Sequence, residues 1–180
     1  MPLSLLYDAS AIDTSIENLA VRIIADHAYD KPLFVGLLRG AAPFTSKLMF
    51  AIARKEPEYH PELDYMMVST YGDGRAASES RIVTDVAPST VVEGRTVIIL
   101  DDVLDKGITA NFVTQHLKNK GAETVKLAVL VDKQTPRVYP ITPDYVCLES
   151  PDVWLAGMGM DDAATAHEAY RWSDAIYILN

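Results

Sequence analysis

The segment Val97-Ile-Ile-Leu-Asp-Asp-Val-Leu-Asp-Lys-Gly-Ile-Thr109 gathers the residues best suited to chemistry. Three acids, Asp101, Asp102 and Asp105, follow an apolar run and lead into a turn containing Lys106 and Gly107, with a hydroxyl at Thr109. Consecutive backbone N–H groups in such a turn, at the positive end of a following helix, can cradle a phosphate dianion, and the Thr109 hydroxyl can assist. Gly107 allows close backbone approach because it has no Cβ. Carboxylates repel phosphate, so Asp101 and Asp102 are better used to accept hydrogen bonds from sugar hydroxyls. Any one of these acids alone could be a solvated helix cap, but their combination defines a sugar-phosphate site.

Such a site must be held by regular elements, and the spacing of apolar residues supplies them. Between Ser10 and Tyr29, Ile12, Ile16, Leu19, Ala20, Ile23 and Ile24 recur at helical spacing, with Ser10 and Asp13 placed as an N-terminal capping box. Leu33 to Leu38 reads as a buried strand, ended by Arg39-Gly40 and followed by a helix from about Ala42 to Ala53. After Pro57 and Pro61, Leu63 to Thr70 predicts a strand, Tyr71 to Ser80 a mobile glycine-containing loop, and Ser80 to Val86 another strand. Glu93-Gly94 marks a turn before a strand over Thr96 to Leu100 that ends at Asp101-Asp102. A helix from about Thr109 to Lys120 stops at Gly121, and Val125 to Val131 is a further buried strand. This alternation predicts an α/β fold, a mostly parallel twisted sheet flanked by helices, with ligands at the carboxyl ends of the strands. From Gln134 onward Pro136, Pro140, Pro143 and Pro151 interrupt the pattern.

With 180 residues, 49% of them hydrophobic, the chain suits one domain with a sizeable core. The 16 basic and 25 acidic residues give a formal charge of −9, which argues against general nucleic-acid or anionic-membrane binding. No apolar run is long enough to span a bilayer, and Met1 to Asp8 lacks the pattern of an export signal. The single cysteine, Cys147, suits a small buried apolar role in a reducing compartment. His27, His60, His116 and His167 are scattered without metal-ligand spacing, no P-loop pattern is present, and Gly72-Asp-Gly-Arg-Ala-Ala77 is followed by no amphipathic helix.

The strand, two acids, two apolar residues and Asp-Lys-Gly-Ile-Thr turn resemble the phosphoribosyl pyrophosphate (PRPP) motif of the type I phosphoribosyltransferases. Val35-Gly-Leu-Leu-Arg-Gly40, Asp64-Tyr-Met-Met-Val-Ser-Thr-Tyr-Gly72, Asp132-Lys133, Pro143-Asp-Tyr and Pro151-Asp-Val-Trp-Leu155 are similar to the hypoxanthine-guanine branch, so the likeness runs from about Leu33 to Asp161. The resemblance implies a core over about 10–133 and a small irregular, base-binding hood largely from 134–180.

By that resemblance Asp101 and Asp102 bind the ribose hydroxyls, and Asp105, Lys106, Gly107, Ile108 and Thr109 the 5′-phosphate. Arg39 and Gly40 take the pyrophosphate through an unusual peptide geometry, and Asp105 is the catalytic acid/base beside N7 of the purine. Lys133 contacts the exocyclic oxygen of a 6-oxopurine, Trp154 stacks on the base, and the Leu155 backbone contacts its edge. Asp161, with Asp101 and Asp102, serves Mg2+, while Thr70 and Tyr71 begin a flexible lid. The resemblance further implies a cytoplasmic enzyme of purine salvage, a homodimer or homotetramer using PRPP and a purine base.

Three positions depart from the pattern. Lys106 stands where Thr or Ser is usual, and Ile108 replaces a commonly polar residue. His167 takes the place of an arginine that binds pyrophosphate, leaving Arg171 four residues further on as its substitute. Two rival readings are the same fold acting on xanthine or a pyrimidine, and a non-catalytic PRPP or nucleotide sensor.

Overall fold

The computed structural model describes residues 3–71, 79–161 and 170–179. A six-stranded sheet has the order β4-β3-β2-β5-β6-β7. Its members are β2 (Leu33–Leu38), β3 (Glu62–Tyr71), β4 (Glu79–Thr84), β5 (Thr96–Leu104), β6 (Thr124–Lys133) and β7 (Tyr145–Ser150). All neighbours pair in parallel except β4, which runs antiparallel to β3 at the edge.

Side-chain alternation along the central strands splits the core into two layers. Phe34, Ile98, Leu100, Ala128 and Leu130 point to the face covered by α1 (Ala9–Asp26) and α2 (Ala42–Lys55). Leu33, Val35, Val97, Ile99 and Val129 point to the opposite face, where α3 (Ile108–Asn119) inserts Ala110, Val113 and Leu117. The apolar runs of β2, β5 and β6 are continuous because both of their faces are covered.

Helix α1 begins one residue before Ser10, and its cap is Asp8, whose Oδ1 accepts from the Ala11 amide at 2.8 Å. The predicted Ser10–Asp13 capping box is therefore replaced by an Asx cap two residues earlier, and Asp13 instead pairs with Lys47 of α2 at 2.6 Å. Helix α2 extends to Lys55, two residues beyond the predicted end. Gly121 follows α3 at φ +90°, as expected of a glycine stop.

The proline-broken tail is more regular than its composition suggests. Strand β7 completes the main sheet, and β8 (Trp154–Ala156) and β9 (Ile176–Leu179) join β1 (Leu3–Tyr7) in a separate antiparallel sheet of order β1-β9-β8. That small sheet draws one strand from before residue 10, while β7 lies beyond residue 133. The core expected over about 10–133 is thus joined by β7, and the segment expected largely as the hood shares its small sheet with β1.

Of the four histidines, His27 is buried at the end of α1. Its Nδ1 faces Asp30 at 2.9 Å and its Nε2 faces the Tyr145 hydroxyl at 3.1 Å, which in turn donates to Asp26 at 2.9 Å. His116 pairs with Asp85 at 3.1 Å, tying α3 to the segment after β4. His167 and the loop residues 72–78 lie outside the described residues. Cys147 is unpaired on β7, and burial pushes its thiol up to about 12.

Asp8→Ala is expected to lower the free energy of unfolding by about 1 kcal/mol, whereas Ser10→Ala on the exposed face changes it by less than about 0.5 kcal/mol. Urea denaturation of the two variants measures this difference.

Candidate active site

The sheet order reverses between β2 and β5, since β2 connects outward to β3 while β5 connects the other way to β6. The carboxyl ends of β2 and β5 therefore flank the crevice in which such sheets bind ligands. Strand β2 ends at Arg39-Gly40, and β5 carries Asp101 and Asp102 near its own end.

Strand β5 runs four residues past its predicted end at Leu100, through Leu104. Asp101 and Asp102 are thus strand residues rather than turn residues, and Asp101 is in register with Val129 of β6. Asp101 Oδ1 accepts from the Asp102 amide at 3.1 Å, and Asp102 Oδ1 from the Val103 amide at 2.9 Å. Burial raises the pKa of both carboxyls, with the neighbouring Asp102 charge adding to the rise at Asp101, which goes well above the ordinary range. For Asp102, hydrogen bonds and the Arg171 charge oppose the rise without cancelling it.

Two glycines permit this packing. A Cβ on Gly40 would lie 1.9 Å from Asp102 Oδ2, and one on Gly159 would lie 1.8 Å from the Gly40 carbonyl oxygen. The end of β2, the end of β5 and the turn after β8 therefore meet backbone to side chain, with no room for a larger residue. The Leu38–Arg39 peptide is cis, the unusual geometry expected at this position.

Beyond β5 the chain turns through Gly107 at φ +76° into α3, which has no side-chain cap on its first N–H groups. Residues 101–110 line a cavity of about 310 Å3 at this helix start. A second cavity, of about 240 Å3, is lined by Gly40, Asp102, Asp105, Lys133, Trp154, Leu155, Asp161 and Arg171, among others. Asp102, Val103 and Asp105 line both.

Lys133, the last residue of β6, is 10% exposed at its side chain, and its Nζ lies 3.4 Å from Asp105 Oδ2 and 3.6 Å from Asp152 Oδ1. The same ammonium sits 6.0 Å from the Trp154 ring centroid, while Trp154 itself is 66% exposed. Such an exposed indole beside a cleft suits stacking on a planar ligand. Leu155 is buried beneath it. Arg171, also buried, donates to the Gly159 carbonyl at 2.8 Å and to Asp161 Oδ2 at 2.6 Å. The structure thus brings into the cleft an arginine four residues away from the position where the sequence pattern placed one.

The predicted residues Gly40, Asp101, Asp102, Asp105, Lys106, Gly107, Ile108, Thr109, Lys133, Trp154, Leu155, Asp161 and Arg171 all line one or both cavities. Arg39 is exposed beside them. Thr70 and Tyr71, expected to begin a flexible lid, are the last residues of β3 and pair with Ser80 and Glu79 of β4, so the ends of the predicted loop are strand; residues 72–78 lie outside the described residues. Asp101, Asp102 and Asp161 do not form an ion cage by themselves: among the described residues, no three Asp, Glu, His or Cys side chains converge as a metal-binding group. Gly159 and Met160 were missed by sequence reasoning; the Gly157-Met-Gly159 spacing was the available sign of close backbone approach.

A doubly flanked, mostly parallel sheet with a glycine-containing turn at a helix start after two buried acids is the arrangement of a nucleotide- or sugar-phosphate-handling α/β protein. Residues 3–163 match the phosphoribosyl transferase domain family, and the chain belongs to that family. It is 36% identical over 168 residues to a hypoxanthine-guanine phosphoribosyltransferase of Streptococcus pyogenes, covering 93% of this chain and 87% of the relative. A protein of the same description from Streptococcus agalactiae is 37% identical over 167 residues, covering 92% and 87%. A crystal structure of a Staphylococcus aureus hypoxanthine phosphoribosyltransferase superposes with a TM-score of 0.87 at 28% identity, covering 98% of this chain and 91% of that one. No helix among the described residues is long and apolar enough to cross a membrane.

An acid whose pKa is raised by folding loses stability as the pH climbs through its folded value. Asp101→Asn is therefore expected to raise the melting temperature at pH 7.5, with the gain shrinking as the pH falls toward about 4, the unfolded carboxyl value. Melting curves of parent and variant across that range test the sign.

Proposed function

We propose that this protein transfers the 5-phosphoribosyl group of PRPP to N9 of a 6-oxopurine, hypoxanthine or guanine, giving the nucleotide and pyrophosphate in purine salvage. The observation that carries this reading is that one pair of carboxylates, Asp102 and Asp105, lines both the amide-lined cavity at the start of α3 and the cavity holding Lys133 and Trp154. A sugar bridging the two would present its anomeric carbon where they meet.

In this reading the amides of 106–109 and the Thr109 hydroxyl hold the 5′-phosphate, and Asp101 and Asp102 accept from the ribose hydroxyls. Arg39, Gly40 and Arg171 receive the pyrophosphate. The Lys133 ammonium donates to the 6-oxygen and cannot accept from a 6-amino group, which selects against adenine. Trp154 stacks on the ring and the Leu155 backbone meets its edge. During transfer the bond from the anomeric carbon to the pyrophosphate oxygen breaks, its electron pair leaving with pyrophosphate. The N9 lone pair forms the new bond, and the proton lost by the base passes to Asp105 near N7.

The acid-rich cleft is compatible with Mg2+. Asp161 and Asp102 offer hard oxygen donors, and a cation would relieve the unfavourable burial of charge on Asp101 and Asp102. A site with few converging side chains suits an ion that keeps waters and substrate oxygens. When bound, it would neutralise charge on the departing pyrophosphate. The reading includes a cytoplasmic homodimer or homotetramer. A pyrimidine as acceptor, or a purely sensory role, is less well matched by the pairing of Lys133 with Trp154 and the presence of Asp105, while xanthine, also a 6-oxopurine, meets the same contacts.

The direct test is incubation with Mg2+ and PRPP and each base in turn, measuring nucleotide and pyrophosphate; no nucleotide with hypoxanthine or guanine refutes the reading. Asp105→Asn is expected to lower kcat by about 100-fold or more, the usual worth of a proton-transfer group, with PRPP binding preserved. Lys133→Ala is expected to raise KM for 6-oxopurines selectively, measured as relative kcat/KM across bases.

A further inference from the structure

Lys106, the loop residue that departs from the family pattern, does not direct its ammonium into the amide cradle. Its Nζ donates to Thr135 Oγ1 at 2.8 Å, and its carbonyl accepts from the Val138 amide at 3.0 Å. The Thr135 hydroxyl then donates to Asp152 Oδ2 at 2.8 Å. The other oxygen of Asp152 lies 3.6 Å from Lys133 Nζ, and Lys133 reaches Asp105 at 3.4 Å. Asp105 Oδ1 closes the circuit at 3.9 Å from Lys106 Nζ. Five side chains from the phosphate loop, the end of β6 and the turn before β8 thus form one polar ring around the base-binding side of the cleft.

Lys133 is the member that needs this ring. Its ammonium is largely buried, so its charge requires partners, yet both its carboxylate contacts are longer than a good charge-assisted hydrogen bond. Its direction is therefore set by how firmly Asp105 and Asp152 are themselves fixed. Asp152 is 53% exposed and lies outside both site cavities. It accepts from the Thr135 hydroxyl, which Lys106 polarises from the other side. The same hydroxyl is the main cause holding the Asp152 carboxyl below its ordinary range, with Lys106 and Lys133 assisting.

Resting on the function proposed above, we infer that Thr135 and Asp152 are positioning residues for base recognition: through them Lys106 fixes the ammonium of Lys133 that selects the purine. They touch no substrate; they set the direction of a donor that does. Removing either should weaken use of the base more than use of PRPP, because the amide cradle at the start of α3 includes neither residue.

The test uses the full chain carrying Thr135→Val, Thr135→Ser or Asp152→Asn. Thr135→Val and Asp152→Asn are expected to raise KM for hypoxanthine or guanine by about three- to tenfold, the worth of one hydrogen bond, with KM for PRPP within about twofold. Thr135→Ser, which keeps the hydroxyl, should restore the parent value. A readout without substrate uses the exposed Trp172→Phe background, in which Trp154 is the remaining tryptophan and its emission reports the ammonium 6.0 Å from its ring. Thr135→Val should shift that emission as Asp152→Asn does, and Thr135→Ser should not. Unchanged base KM in Thr135→Val, an equal loss for PRPP, or parent-like emission in both ring variants overturns the inference. A parent that makes no nucleotide refutes the function, while the emission comparison still decides whether the ring positions Lys133.

Discussion

Two adjacent carboxylates buried at the end of a parallel strand are the constraint around which the cleft is arranged. Asp101 and Asp102 would be more stable in water, and their raised pKa values express that cost. Each is partly compensated by a backbone amide of the following residue. Arg171 adds a favourable charge beside Asp102, while the close approach of Gly40 to Asp102 and of Gly159 to Gly40 keeps the carboxyls buried. In the proposed reading a ligand's hydroxyls or a cation would satisfy those oxygens.

The charge distribution follows the same logic. The proposed function has a chain of net charge −9 receive a heavily phosphorylated substrate. Lys106, Lys133, Arg171 and the start of α3 lie along one cleft, while many acids elsewhere are paired on the helical surface, as Asp13 and Glu17 are with Lys47, Arg54 and Lys55. Low-dielectric walls concentrate the field of a few cations, so local arrangement outweighs the overall sign. Lys106 takes a different part from the hydroxyl residue usual at its position: its side chain ties the phosphate loop to the segment after β6.

Much of the frame was legible because it rests on local periodicity. The limits of β2 and the start of α2 follow from a five-residue buried run and a glycine break, and α3 ends at a glycine for the same local reason. The end of β5 was less legible, since Asp101 and Asp102 look like turn residues; pairing with β6 carries them on as strand, a contribution that arises from register between distant segments. The cap of α1 fell to Asp8 because β1 delivers the chain there, and β1 itself acquires its pairing only from β9, at the opposite end of the chain.

The order of residue types alone determined that a glycine-containing turn follows two acids, because that pattern depends on neighbours a few positions apart, whereas Lys133 and Trp154 were singled out only by the resemblance to the family. Tertiary structure decided the rest: that Arg171 reaches the cleft in spite of its displaced position, that three acids do not gather into an ion cage, and that Thr135 and Asp152 stand behind Lys133. Those outcomes depend on how the turn after β8 and the loop after β6 fold back over the sheet. Such contacts join residues whose separation along the chain carries no periodic signal.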